Sequence, residues 1–409
     1  MHRNGVKYRM WRVVRGVLTT LLFVCLLLIL ATSISPIYDF APPAPFSGAD
    51  IYNPYGTLDS TMSWRRVSLH THTRVEGLLN ECDYWPEDVL SRYEDFGYDV
   101  VGISNHNEIT PYPASQQCRV PIYEHGFNLR GFHKHVIGAR EVMAFDALVP
   151  LFTSQLQWQL NTLATQCEVL QLNHPTRTPI LTPSRLQKLS NYRIMELTGA
   201  RDYLENEDWD HALTAGRYCF GIMGDDLHYP DKSHCIATRC SYMAMSEVSD
   251  EALLDVLKSG CYYSVSVPDY GDGDAEVKRE RNMSLPMVRS VGIKGDTIYM
   301  TLTAPAETLR VIGAGHTLLG RVADSDSIGY RMREDDAYAR IVVSYPDSLI
   351  IMSNAFARYD ATKQSSPFDV TFYQVNTLCT VLYNLALLFV VAGVVMLYIK
   401  LIGRWRRVD

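Results

Sequence analysis

Residues 65 to 73 read RRVSLHTHT. A short strand-like run ends on His70, and His72 follows two positions later. On an extended chain both imidazoles then point to the same side and can share one ion. The pattern of a short apolar run delivering a metal-type ligand recurs four more times. DVVGIS runs into Asn105 and His106, HVIGAR into Glu141, VLQLN into His174, and YCFGIMG into Asp225, Asp226 and His228. Asp226 and His228 repeat the two-residue spacing of the first pair. Helical patterns lie between these runs. In WPEDVLSRYEDFG, Pro86 opens a helix, Val89, Leu90, Tyr93 and Phe96 share one face, and Gly97 stands just past the end. Strands alternating with helices predict an α/β architecture with a mainly parallel sheet or barrel from Arg65 to about Ser266. In such folds the carboxyl ends of the strands build the site, because loops converge there on a rigid frame. Five ligand-bearing strand ends therefore predict a metal centre. Neutral imidazoles with a few carboxylates suit zinc, manganese or iron better than calcium, which prefers oxygen shells.

The segments outside this region have a different character. Residues 16 to 35, GVLTTLLFVCLLLILATSIS, carry no charge and are long enough to cross about 30 Å of hydrocarbon as a helix. Residues 377 to 399, TLCTVLYNLALLFVVAGVVMLYI, do the same. The first run is longer than the roughly 7 to 15 apolar residues of a signal-peptide core, so it reads as a retained anchor. Basic residues flank both: Arg3, Lys7, Arg9, Arg12 and Arg15 before the first, and Lys400, Arg404, Arg406 and Arg407 after the second. Positively charged flanks stay on the cytoplasmic side, which predicts two cytoplasmic tails, 1–15 and 400–409, and a middle that is periplasmic or extracellular.

The charge count agrees with two environments. The 409 residues carry 38 Lys and Arg against 45 Asp and Glu, a net charge of −7. Setting the two tails aside leaves 29 basic and 44 acidic residues in 16 to 399. An acidic middle argues against nucleic acid held on a large basic face, and a 47% hydrophobic composition argues against disorder. Seven cysteines fall between the two apolar segments, where disulfides are chemically allowed, and none forms a CxxC pair that would indicate a zinc ribbon.

Residues 36 to 64 are proline- and tyrosine-bearing and read as a spacer from the membrane. Residues 268 to 284, PDYGDGDAEVKRERNMS, have no apolar period and read as a linker or long surface loop. From 285 to 358, short alternating runs such as DTIYMTLTA, ARIVVSYP and SLIIMSN predict a small, antiparallel all-β domain.

The stretches LHTHT, SNHNEIT, IGAREV, LNHP and GDDLHY, in that order between about residues 65 and 270, resemble the motifs of the PHP (polymerase and histidinol phosphatase) superfamily of metal-dependent phosphoesterases. The resemblance implies a distorted β/α barrel of seven strands over residues 65–268. It implies one metal site from His70, His72, Glu141 and Asp226, with Glu141 bridging to a second that includes His174, and His106 and His228 serving a third. Members usually place another histidine between the glutamate and the third histidine motif; here Asp146, Gln166 and Gln171 are the substitutes on offer. The third site lacks its usual histidine, with Leu78 at that position and Asn80, Glu81 and Asp83 nearby, and Asn105 stands for a common Asp. Two divalent ions are therefore expected. His133 and His135 share a strand face in GFHKHVIG but precede Glu141, outside these motifs, and are not counted as ligands.

A carboxylate-bridged metal pair activates water for in-line attack on phosphorus. The function expected is thus hydrolysis of a phosphate mono- or diester, on a lipid head group or a soluble molecule. Arg74, two residues past His72, and Arg177, three past His174, are candidate phosphate clamps. The competing expectation is a non-catalytic receptor or scaffold on the same frame, resting on the missing second-metal histidine.

Overall fold

The computed structural model describes residues 2–77, 80–197 and 207–406; Leu78, one of the positions weighed above, lies outside them. Two long helices, His2–Ala31 and Thr377–Arg406, stand side by side. Met10–Ala31 and Thr377–Gly403 are long and apolar enough to cross a membrane. The Phe23 and Tyr398 rings stack at 4.0 Å, and the Tyr383 hydroxyl donates to the Ser33 carbonyl at 2.8 Å. Low numbers on one helix thus meet high numbers on the other, so the pair is antiparallel. After Ala31 and before Thr377 the chain forms a two-stranded antiparallel ribbon, Tyr38–Phe40 against Tyr373–Val375.

The segment expected as a spacer is packed into the fold. Strand Asp50–Tyr52 pairs with Phe356–Tyr359, and buried Tyr55 donates its hydroxyl to the Tyr262 carbonyl at 3.1 Å. The aromatic residues that made this stretch look merely irregular are its anchors. All nine cysteines are free.

The described strands that carry the fold fall into two mixed sheets. Five strands pair in the order Ile122–His125, Lys134–Ile137, Val169–Leu172, Ile194–Glu196 and Phe220–Ile222. The last three run parallel, but Lys134–Ile137 is antiparallel to both its neighbours. In the eleven-stranded sheet, Ser63–Ser68 pairs parallel with Val100–Val101 and antiparallel with Arg239–Met245. Arg239–Met245 continues through Tyr262–Ser266 and Ile350–Ser353 into the long antiparallel strands Thr297–Gly313 and Thr317–Arg331. One sheet therefore runs from Ser63–Ser68 and Val100–Val101 into the carboxyl-terminal strands. Two isolated parallel bridges, Thr71 to Leu227 and His106 to Glu124, link the sheets.

The helix expected at WPEDVLSRYEDFG spans Pro86–Asp95, buries Val89, Leu90 and Tyr93, and is followed by Gly97 at φ 77°. The expected linker at 268–284 contains a helix instead, Ala275–Met283. Asp274 caps it by accepting from the amides of Glu276 and Val277. Polar contacts dock it where an apolar stripe is lacking: Asn282 Oδ1 accepts from Arg66 Nη2 at 2.6 Å, and buried Lys278 pairs with Asp269 at 2.8 Å.

Candidate metal centre

The site is assembled where the ends of both sheets meet. Strand Ser63–Ser68 delivers His70 and His72, both 1% exposed. The chain after Val100–Val101 delivers His106, that after Val169–Leu172 delivers His174, and that after Phe220–Ile222 delivers Asp226 and His228. Gly224 permits the approach. A Cβ there would lie 2.9 Å from His70 Cβ, closer than packed carbons tolerate. His174 and Asp226 hold left-handed backbone, at φ 27° and 53°, a conformation retained only where the surroundings enforce it.

At the centre stands Glu124, on the short strand Ile122–His125. Its Oε2 lies 3.2 Å from His70 Nε2, 3.3 Å from His72 Nε2 and 3.1 Å from His106 Nε2. Its Oε1 lies 3.3 Å from His133 Nδ1 and 3.2 Å from His174 Nε2, and accepts from Asn173 Nδ2 at 2.8 Å. Asp226 Oδ1 is 3.0 Å from His70 Nε2 and 3.3 Å from both His72 Nε2 and His228 Nε2. Glu81 Oε2 reaches His106 at 3.2 Å, His72 Nδ1 at 3.7 Å and His228 Nδ1 at 3.9 Å. Arg177 pairs with the other Asp226 oxygen.

Three groups of these side chains converge tightly enough to hold a cation: His70, His72, Glu124 and Asp226; His72, Glu81 and His228; and His106, Glu124 and His133. Their chemistry fits a transition metal, offering imidazole nitrogens and carboxylate oxygens together. A further observation agrees. His72 Nε2 is buried and faces Glu124 and Asp226 at 3.3 Å without a well-aligned hydrogen bond to either, a position that a cation between the three would fill. Burial would raise the Glu124 carboxyl pKa, but His70 and the hydrogen bonds from His133 and His174 hold it well below the usual range. Asp226 behaves alike, with His70 and His228 outweighing its burial. Both carboxylates are thus ionised.

Glu141 does not join this cluster. It is exposed and belongs to none of the three groups. The reason is strand direction. Because Lys134–Ile137 runs antiparallel to Val169–Leu172, its carboxyl end emerges at the opposite edge from His174, and its amino end brings His133 to the centre. Antiparallel pairing with Lys134–Ile137 in turn points the carboxyl end of Ile122–His125 at the site and delivers Glu124. His133, and not Asp146 or Gln171, stands beside Glu124. Asp146 instead binds the Phe127 amide, Asn128 and Gln159, and Gln171 donates to His135 and Asn173. Asn105 supports rather than contacts the cluster, accepting from the Thr73 amide at 2.7 Å. Asp225 is saturated by Tyr93, Thr238 and backbone amides. Arg74 is exposed and stacks on Trp85 at 5.1 Å.

No family model and no curated protein matches the chain. Among solved structures, the chain is similar to a two-domain protein containing a predicted PHP-like metal-dependent phosphoesterase from Bacteroides vulgatus ATCC 8482. The two are 13% identical, the match covers 75% of this chain and 100% of that one, and the TM-score is 0.37.

Proposed function

We propose that the protein is a membrane-anchored, metal-dependent phosphoesterase of the PHP type whose site faces away from the cytoplasm. The observation that carries this reading is Glu124, whose two oxygens each face a separate set of imidazoles, as a carboxylate bridging two cations does. His70, His72, Glu124 and Asp226 are then the ligands of one divalent ion, and Glu124, His133 and His174 those of a second. Glu81, with His72 and His228, converges as a third candidate group. Zinc, manganese and iron all suit such donors. The two bridges also support a distorted seven-stranded barrel. Through them the strand order runs from Ser63–Ser68 and Val100–Val101 round the five-stranded sheet and back to Thr71.

Divalent ions bound there supply Lewis acidity, lowering the pKa of a water toward neutrality and neutralising charge on a phosphoryl oxygen. The chain's own groups orient that chemistry. Glu196 fixes the His70 ring through Nδ1 and so turns Nε2 toward the centre. Asn173 holds the Glu124 carboxylate. Arg177, half exposed at the rim and paired with Asp226, presents N–H groups to a phosphate oxygen, with Arg74 as a more distant candidate. The basic flanks of the two apolar helices favour cytoplasmic tails.

The scaffold alternative drew on a missing histidine, and His133 beside Glu124 weakens that argument. Elemental analysis of the full-length protein, with hydrolysis of p-nitrophenyl phosphate and its diester in added divalent metal, tests the reading. Tightly held transition metal and turnover abolished by His70→Ala and Asp226→Ala are expected. Less than one ion per chain, with no turnover after metal addition, would favour the scaffold.

A further inference from the structure

Four large apolar side chains are exposed on one part of the surface: Phe127, Leu129, Leu151 and Phe152, with Leu129 78% exposed. They occupy two loops that are tied together, because the Leu129 amide donates to the Leu148 carbonyl at 2.9 Å. The same loops are tied to the ends of the two apolar helices. The Leu148 amide donates to Thr32 Oγ1 at 3.3 Å, and Gln155, which binds the amides of Leu151 and Phe152, donates to the Ser33 carbonyl at 3.2 Å. The Phe152 ring meets Tyr383 edge-on at 5.8 Å. Tyr383 lies six residues inside the helix that begins at Thr377, about 9 Å along its axis. A helix that spans a bilayer therefore carries Phe152 to the depth of the lipid interface.

The first loop also leads directly to the candidate metal centre. Leu129 is four residues from His133. The Gly131 carbonyl accepts from Thr178 Oγ1 at 2.9 Å, and that hydroxyl lies 3.4 Å from His174 Nδ1. Two cations accompany the apolar residues. Arg130 is exposed beside Leu129, and Arg185 donates to the Leu151 carbonyl at 2.7 Å. Apolar side chains rimmed by arginine match a bilayer interface with anionic phosphates.

We infer that the loops around Leu129 and around Leu151 and Phe152 dock on the bilayer beside the helix ends, so that the metal centre acts on a phosphoester carried at the lipid surface. The inference rests on the phosphoesterase reading and on the two helices spanning a membrane, and it selects the lipid-borne substrate over the soluble one. In the reaction a water oxygen bonds to phosphorus as the bond from phosphorus to one ester oxygen breaks. One water proton ends on the departing alcohol, and the other stays with the phosphate product or passes to solvent.

The test uses the full chain in phosphatidylcholine nanodiscs containing phosphatidic acid, a monoester, or phosphatidylglycerol, a diester, with p-nitrophenyl phosphate as the soluble comparison. The triple variant Leu129→Ser, Leu151→Ser, Phe152→Ser should hydrolyse the lipid about tenfold more slowly and the soluble ester at an unchanged rate. Equal loss on both, or turnover of the soluble ester alone, would overturn the inference and leave the phosphoesterase reading intact. Turnover of neither would remove that reading and the substrate half of this one together. Docking is then decided separately. A Leu129→Trp variant in nanodiscs of dibrominated phosphatidylcholine should show added fluorescence that is quenched relative to unbrominated lipid. Unquenched emission, as when a protein partner or water covers the loop, would overturn docking.

Discussion

Glu196 Oε1 lies 2.7 Å from His70 Nδ1, and the other oxygen of the same carboxylate accepts the His174 amide at 2.9 Å. One buried side chain at the end of Ile194–Glu196 thus sets the ring of a candidate ligand from one sheet and the backbone of another from the second. Such partners of metal-bound histidines fix the tautomer and raise ligand basicity. Glu196→Gln should keep the fold, retain the volume and lower metal affinity about 10- to 100-fold. Competition with a chelator, read by elemental analysis, measures it. Unchanged retention would mean that Glu196 only braces the loop.

Glu124 and Glu141 make the sharpest pair of substitutions. Glu124→Ala removes the oxygens that face five imidazoles and should abolish metal retention and turnover. Glu141→Ala changes an exposed side chain and should behave as the unaltered protein, within about 0.5 kcal/mol in stability. The reverse result in an activity and metal-content assay would restore the ligand set read from motif order.

That contrast also shows what the sequence made legible. His70, His72, His106, His174, Asp226 and His228 were found because each follows a short apolar run, and the structure brings all six together. Glu124 was hidden because its strand, Ile122–His125, is buried along its whole length, so PIYEHG has neither an apolar run nor an alternation to mark it. His133 lies outside the recognised motifs, and its place at the centre follows from Lys134–Ile137 running against Val169–Leu172. The pairing of Lys134–Ile137 with Val169–Leu172 is long-range, joining residues more than thirty positions apart. The helix Ala275–Met283 escaped for a related reason. Its docking depends on Asp274, Lys278 and Asn282 finding polar partners, a pattern that hydrophobic periodicity does not record.

The antiparallel helix pair makes a topological prediction. With Phe23 against Tyr398 and Ser33 against Tyr383, reporters fused to the two termini of the full chain should fall on the same side of the membrane. The basic tails predict that side to be cytoplasmic. Protease protection of the two tags in sealed vesicles reads both statements. Tags on opposite sides would break the paired arrangement.

A last prediction concerns the contact between helix Glu207–Thr214 and the carboxyl-terminal strands. Arg340, on Tyr338–Ser344, chelates Asp210, on helix Glu207–Thr214, with Nε to Oδ1 at 2.9 Å and Nη2 to Oδ2 at 2.6 Å. Tyr338 donates to Asp210 at 2.8 Å and His316 Nδ1 lies 2.6 Å from it. Burial alone would raise the Asp210 pKa, but the Arg340 charge and these hydrogen bonds bring it below the ordinary value. The stabilisation is therefore complete above the unfolded-state pKa of about 3.9 and is lost as pH falls through the lower folded value. Asp210→Asn should flatten that acid limb of stability. Asp210→Ala should cost about 3 to 5 kcal/mol at neutral pH, because it removes both carboxylate oxygens that pair with a fully buried guanidinium. Denaturant unfolding of the solubilised protein across that acid range measures both; an unchanged slope in the Asn variant would assign the acid sensitivity to other carboxylates.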